Sequence, residues 1–199
     1  MRVVPLVCVL FFLSAAAARA GDDVLRLNSD DPFLIAMVER GLRGSETFRD
    51  LYRRLEQADV IVHLRRGPTG DRASGYNQFV AAVGGFRFVR IILAVDQAND
   101  DAVALLGHEL QHAVELAGDS QVTDRQAYEE LYERIGNRSC VSQRGDCFDT
   151  PEAALVGRSV RAELKRRGSA AVAGAAAAGD LVRTWLARLT ALADRRRPR

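Results

Sequence analysis

Residues 86–95, FRFVRIILAV, form the strongest strand signal in the chain, and helical spacing takes over a few residues later. A chain that switches from period 2 to period 3.6 at that point builds a mixed α+β fold. Two shorter runs precede it. Residues 59–64 (DVIVHL) are rich in β-branched side chains, and residues 78–83 read as another strand, closed by Gly84 and Gly85. Two helices come before these. One starts at Asp30 or Asp31 ahead of Pro32, with Phe33, Leu34, Met37 and Val38 on one face. The other starts at Ser45, where Phe48, Leu51, Tyr52 and Leu55 form a core-facing stripe.

Everything after residue 99 reads as helical. Asp100 or Asp101 caps a helix with Val103, Leu106, Leu110, Val114 and Leu116, ended by Gly118. Thr123 to Gln126 form a capping box for the next, which buries Tyr128, Leu131, Tyr132 and Ile135. Thr150 and Pro151 open a third helix that runs to about Arg167. The Ala-rich residues 169–179 then link it to a fourth, capped by Asp180 and carrying Leu181, Trp185, Leu189 and Leu192. The expected architecture is α+β: two helices, a small mixed sheet, then a helical C-terminal half.

Residues 1–20 combine a basic start (Arg2), an apolar run too short to span a bilayer, and the small-x-small pattern Ala18-Arg19-Ala20. They are expected to be a signal peptide, leaving residues 21–199 as one exported domain with a frayed basic tail at 195–199. Of 28 basic residues, losing Arg2 and Arg19 leaves 26, equal to the 26 acidic ones. A neutral body has no electrostatic footprint for nucleic acid, and no stable membrane span remains after cleavage. Export also leaves Cys140 and Cys147 as an even pair around the polar loop VSQRGD, where a disulfide is expected. Their C-x6-C spacing is not a usual zinc spacing.

Two of the three histidines fall in HELQH, residues 108–112, inside the first of the C-terminal helices. Residues four apart share a helical face, so the imidazoles of His108 and His112 can reach one ion. Glu109 is left free to take a proton from a water attacking a carbonyl and to pass it to the leaving amine. One Zn2+ per chain is therefore the expected cofactor.

On these residues the chain resembles the zincin metallopeptidases, of a gluzincin-like kind. The resemblance implies a mixed sheet ahead of the active-site helix, and it implies that the strand just before that helix, residues 86–95, rims the cleft and pairs with extended substrate. Residues 105–136, with HELQHAVELA and LYERIG, are also similar to small exported bacterial proteins that carry the motif. No histidine follows His112, and Glu115 and Gly118 stand where a metzincin's H-x-x-G-x-x-H would continue, so that clan is excluded. Glu115 lies on the same helix but is badly directed to complete a tetrahedral site.

The third ligand is thus expected to be a carboxylate or a water, and the candidate carboxylates are Asp149, Glu152 and Glu130. The likeness to the small exported proteins favours Asp149, where those carry Phe-Glu-Thr against Phe148-Asp149-Thr150 here. Asp149 and Glu152 also suit a helix N-terminus through its dipole. His63 reads as a half-buried strand residue. Tyr128 and Tyr132, one turn apart, offer a phenol to a developing oxyanion or simply join the core, and Asp119 offers an acceptor for a ligand histidine. The function these features imply is an exported zinc metallopeptidase acting on peptide or protein. The alternatives are a non-catalytic zinc-stabilised binding protein and a metal-free interaction module.

Overall fold

The computed structural model describes residues 24–69, 74–142, 145–169 and 175–195. The expected signal peptide and residues 196–199 of the basic tail lie outside them. Along the chain run β1 (Leu27–Asn28), α1 (Pro32–Gly44), α2 (Glu46–Glu56), β2 (Val60–Arg66), β3 (Gly75–Val83) and β4 (Phe86–Leu93). They are followed by α3 (Asp100–Ala117), α4 (Arg125–Ile135), β5 (Asn137–Ser142), β6 (Gly145–Asp149), α5 (Pro151–Ser169) and α6 (Ala175–Arg195). The fold is the α+β arrangement expected from the sequence, with a four-stranded mixed sheet ordered β1-β2-β4-β3.

β1, β2 and β4 are parallel, and β3 runs antiparallel to β4 at the sheet's outer edge. Gly84 and Gly85, with φ of 61° and 77°, make the two-residue turn between β3 and β4, a backbone that side chains strain against. In β4 the side chains alternate: Arg87, Val89, Ile91 and Leu93 are buried while Phe86, Phe88, Arg90 and Ile92 are half-buried. One face of the sheet therefore packs on the core and the other is partly wet.

This order corrects one expectation. The strand just before the HELQH helix is internal, paired to β2 on one side and β3 on the other, so its backbone groups are already used. Among the described residues the edge strands of this sheet are the two-residue β1 and the longer β3.

Local chemistry sets the helix starts. Asp31 Oδ1 accepts from Phe33 N, and Ser45 Oγ accepts from Phe48 N. Asn99, rather than either expected aspartate, caps α3 through Ala102 N, and Asp100 and Asp101 fall in the first turn. α6 begins at Ala175, so much of the Ala-rich segment is helix and Asp180 lies inside it. The hairpin β5–β6 replaces the loop expected around VSQRGD and sets Cys140 opposite Cys147 in its register. The side chains of both cysteines, and with them the expected disulfide, lie outside what is described.

α3 is buried nearly all round, as a helix at the centre of a fold must be. Two glycines let α5 approach it closely. A Cβ on Gly107 would meet Val160 Cγ2 at 3.0 Å, and one on Gly157 would meet His108 Cβ at 3.3 Å. Arg87 of β4, 3% exposed, fixes the far end. Its guanidinium donates to the Leu116 carbonyl at 2.7 Å and the Asp119 carbonyl at 2.5 Å, and pairs with Asp59. The last carbonyls of the helix thus gain charged donors from the sheet.

Glu163 of α5 ties the N-terminus of α2 in the same way, accepting from Ser45 Oγ, Thr47 N and Thr47 Oγ1. Burial would raise its carboxyl, but these bonds outweigh burial and hold it below the usual range. A depressed carboxyl contributes stability above its unfolded pKa of about 4.3, and that contribution fades as pH falls through the folded value. Glu163→Gln is therefore expected to lower the melting temperature by about 2–4 °C at pH 7. The gap should close in melts below about pH 4. A gap independent of pH contradicts the account. Among the described residues no helix is long and apolar enough to cross a membrane.

Candidate metal centre

α3 sets His108 and His112 one turn apart on one face, with ring centroids 5.0 Å apart and planes nearly perpendicular. The strand β6 ends at Asp149, directly ahead of α5, and brings its carboxylate to the same place. One donor atom each from His108, His112 and Asp149 lies within 4.8 Å of the others, and among the described residues no other three metal-binding side chains converge.

Two observations test whether a cation fits there. His108 Nε2 and Asp149 Oδ1 stand 3.5 Å apart, too long for a good hydrogen bond. It matches the separation of about 3.4 Å that tetrahedral ligands at 2.0–2.2 Å from zinc have from one another. Asp149 Oδ1 is also buried with no hydrogen-bond partner. A buried carboxylate oxygen without a donor is costly unless a cation supplies what is missing. Two imidazoles and one carboxylate are a zinc donor set.

His112 is held from behind. Glu115 Oε2 is 2.9 Å from His112 Nδ1, which places the proton on Nδ1 and leaves the Nε2 lone pair for a cation. Glu115 is itself fixed, accepting at Oε1 from Thr150 Oγ1 at 2.7 Å and from Gln111 Nε2 at 3.3 Å. Thr150 Oγ1 also accepts from Ala153 N and so caps α5. One hydroxyl thus joins the helix that follows Asp149 to the carboxylate that orients His112. Tyr132 Oη donates to the His112 carbonyl at 2.6 Å.

The charges follow from this wiring. Burial, with the neighbouring His112, lowers the pKa of His108. Burial would also lower that of His112, but its bond to Glu115 and the nearby Glu109, Glu115 and Asp149 carboxylates together outweigh burial and raise it. Glu115 is held low, because the bonds from His112 and Thr150 overcome its own burial. Glu109, 4% exposed, is pushed up to about 7 by burial, although His112 and a bond from Asn77 pull the other way.

Of the residues singled out from sequence, Asp149 joins the two histidines, and Glu152 and Glu130 do not. Glu152 is exposed in the first turn of α5, between Thr150 and Ala153 only in sequence, because those two are the residues that face the interior. Glu130 is exposed on α4 and accepts from Gln126. His63 is half-buried on β2, its Nδ1 2.5 Å from Asn28 Oδ1. Asp119 does not serve a histidine: its carboxylate takes Arg134 at 2.6 Å and Gln121 N at 3.1 Å, and Glu115 fills the role expected of it. Tyr132 is spent on the His112 carbonyl, and the half-buried Tyr128 packs between Tyr132 and Phe79 of β3.

Comparison of the chain with protein-family models, with curated proteins and with solved structures finds no match.

Proposed function

We propose that this chain is an exported zinc-dependent peptidase of zincin-like arrangement, with His108, His112 and Asp149 as the metal ligands and Glu109 as general base. The observation that carries the reading is the Oδ1 of Asp149, buried without a hydrogen-bond partner and set across from two imidazoles, of which His112 is fixed from behind by Glu115. When bound, zinc supplies a Lewis acid that acidifies water and polarises a carbonyl. Three such ligands among the described residues would leave a fourth position for water, as a hydrolytic site requires.

The chain's own residues do the rest. Glu115 and Thr150 keep His112 in one tautomer and one orientation. Glu109, raised toward neutrality by its burial, takes a proton and returns it to the leaving amine. Among the described residues the outer edge of β3 has no strand partner, its Asn77 and Gly75 lie against Glu109, and that edge supports main-chain pairing with an extended peptide. Residues 1–20 support export.

Elemental analysis of the mature protein tests the metal part and should find about one zinc per chain. Asp149→Ala is expected to weaken zinc binding by at least about 100-fold, since even groups behind the ligands are worth 10- to 100-fold. Glu152→Ala and Glu130→Ala should leave binding unchanged. Zinc lost with Glu152→Ala and kept with Asp149→Ala overturns the ligand set. A zinc-loaded wild type that cleaves nothing in a peptide library overturns the catalytic part alone.

A further inference from the structure

Glu109 is held by the edge strand, not by its own helix. Asn77 of β3 donates from Nδ2 to Glu109 Oε2 at 2.7 Å and to the Glu109 backbone carbonyl at 3.0 Å. Both contacts are acceptors, which settles the amide's orientation, because a flipped Oδ1 would face two oxygens. That orientation has a cost: Asn77 Oδ1 is buried with no partner. Asparagine is disfavoured in strands, and a buried polar atom left without a partner calls for an explanation beyond stability. Two residues earlier on the same face of β3, a Cβ on Gly75 would stand 2.8 Å from Glu109 Oε1 and 2.9 Å from Leu93 Cδ2. One carboxylate oxygen is therefore bound by β3, and the other lies where β3 offers no side chain.

We propose that Asn77 is a positioning residue that fixes the Glu109 carboxylate through Oε2, so that Oε1 is the oxygen that exchanges the proton, with Gly75 leaving room for it. The proposal rests on Glu109 being the general base. A base held one ångström out of place can cost about 100-fold in rate. Asn77→Ala should accordingly lower kcat by about tenfold to 100-fold while KM and zinc content stay within about twofold. Asn77→Asp keeps the size but loses the donor, and should be equally impaired.

A second readout needs no activity. In spectra of the full-length mature protein, one of the two Asn77 side-chain amide protons should move upfield in Glu109→Ala and hold its shift in Glu109→Gln, which keeps an acceptor. An unchanged kcat in Asn77→Ala, a zinc loss that parallels the rate loss, or an Asn77 amide indifferent to Glu109→Ala overturns the proposal. If the wild type cleaves no peptide, the peptidase reading has failed, and the amide shift alone decides whether Asn77 holds Glu109.

Discussion

Glu109→Gln is expected to reduce peptide cleavage by about 100- to 10,000-fold, the range a positioned general base contributes, with zinc content unchanged. The substitution is nearly isosteric, and glutamine's carbonyl oxygen can still accept from Asn77 Nδ2, so the clasp between β3 and α3 survives. Glu109 stands outside the set of His108, His112 and Asp149, so the metal should not sense the change. Only the capacity to take a proton is lost. Burial pushes the Glu109 carboxyl up to about 7, where a general base would serve best in neutral solution. Rates on a cleaved peptide, paired with metal analysis of the same sample, check it. Full activity in the variant removes Glu109 from the chemistry, and zinc lost along with activity makes it a structural support of the site.

The pieces of this centre that lie on one helix were legible in the sequence, because spacing along a helix is a local property. His108 and His112 face together simply by being four apart. From sequence the third ligand narrows only to one of three acids, since the arrival of Asp149 depends on β6 ending where α5 begins, and the polar residues of β6 look like loop. Thr150 was recognisable as a helix cap, yet its second bond, to Glu115, joins residues 35 apart and leaves no mark on either neighbourhood. Asn77 is not singled out by the sequence, because the strand legible there begins at Gln78 and only the structure extends β3 back to Gly75.

The sheet shows the same division. The β-branched and aromatic run at 86–95 declares a strand, but pairing partners decide whether it sits inside or at the edge. The strand just ahead of α3 is internal because β3 folds back through Gly84 and Gly85 and takes the outer position. β1 is only two residues long and owes its existence to pairing with β2, with no propensity of its own to announce it.

Trp185→Ala should be among the most damaging substitutions away from the centre, at about 3–5 kcal/mol. That corresponds to a melting temperature lower by about 10 °C or more for a chain of this size. The indole is fully buried, and its Nε1 donates to the Leu27 carbonyl at 2.9 Å, so α6 closes over the first strand of the sheet from 158 residues away. Arg188, one turn further on, adds bonds to the Val24 carbonyl and to Glu56. Truncation to alanine opens a cavity and strips a buried carbonyl of its donor, two separate penalties. Trp185→Phe separates them: it keeps most of the apolar volume, loses the N–H, and should cost about 1–3 kcal/mol. Thermal melts should therefore rank wild type above Phe and Phe above Ala. Because Trp185 is the chain's one tryptophan, its fluorescence reports this docking directly, blue-shifted when α6 is seated and moving to the red in step with the melt. Emission that reddens well before the rest of the fold melts would mean that α6 is a detachable flap, and the two substitutions would then cost little.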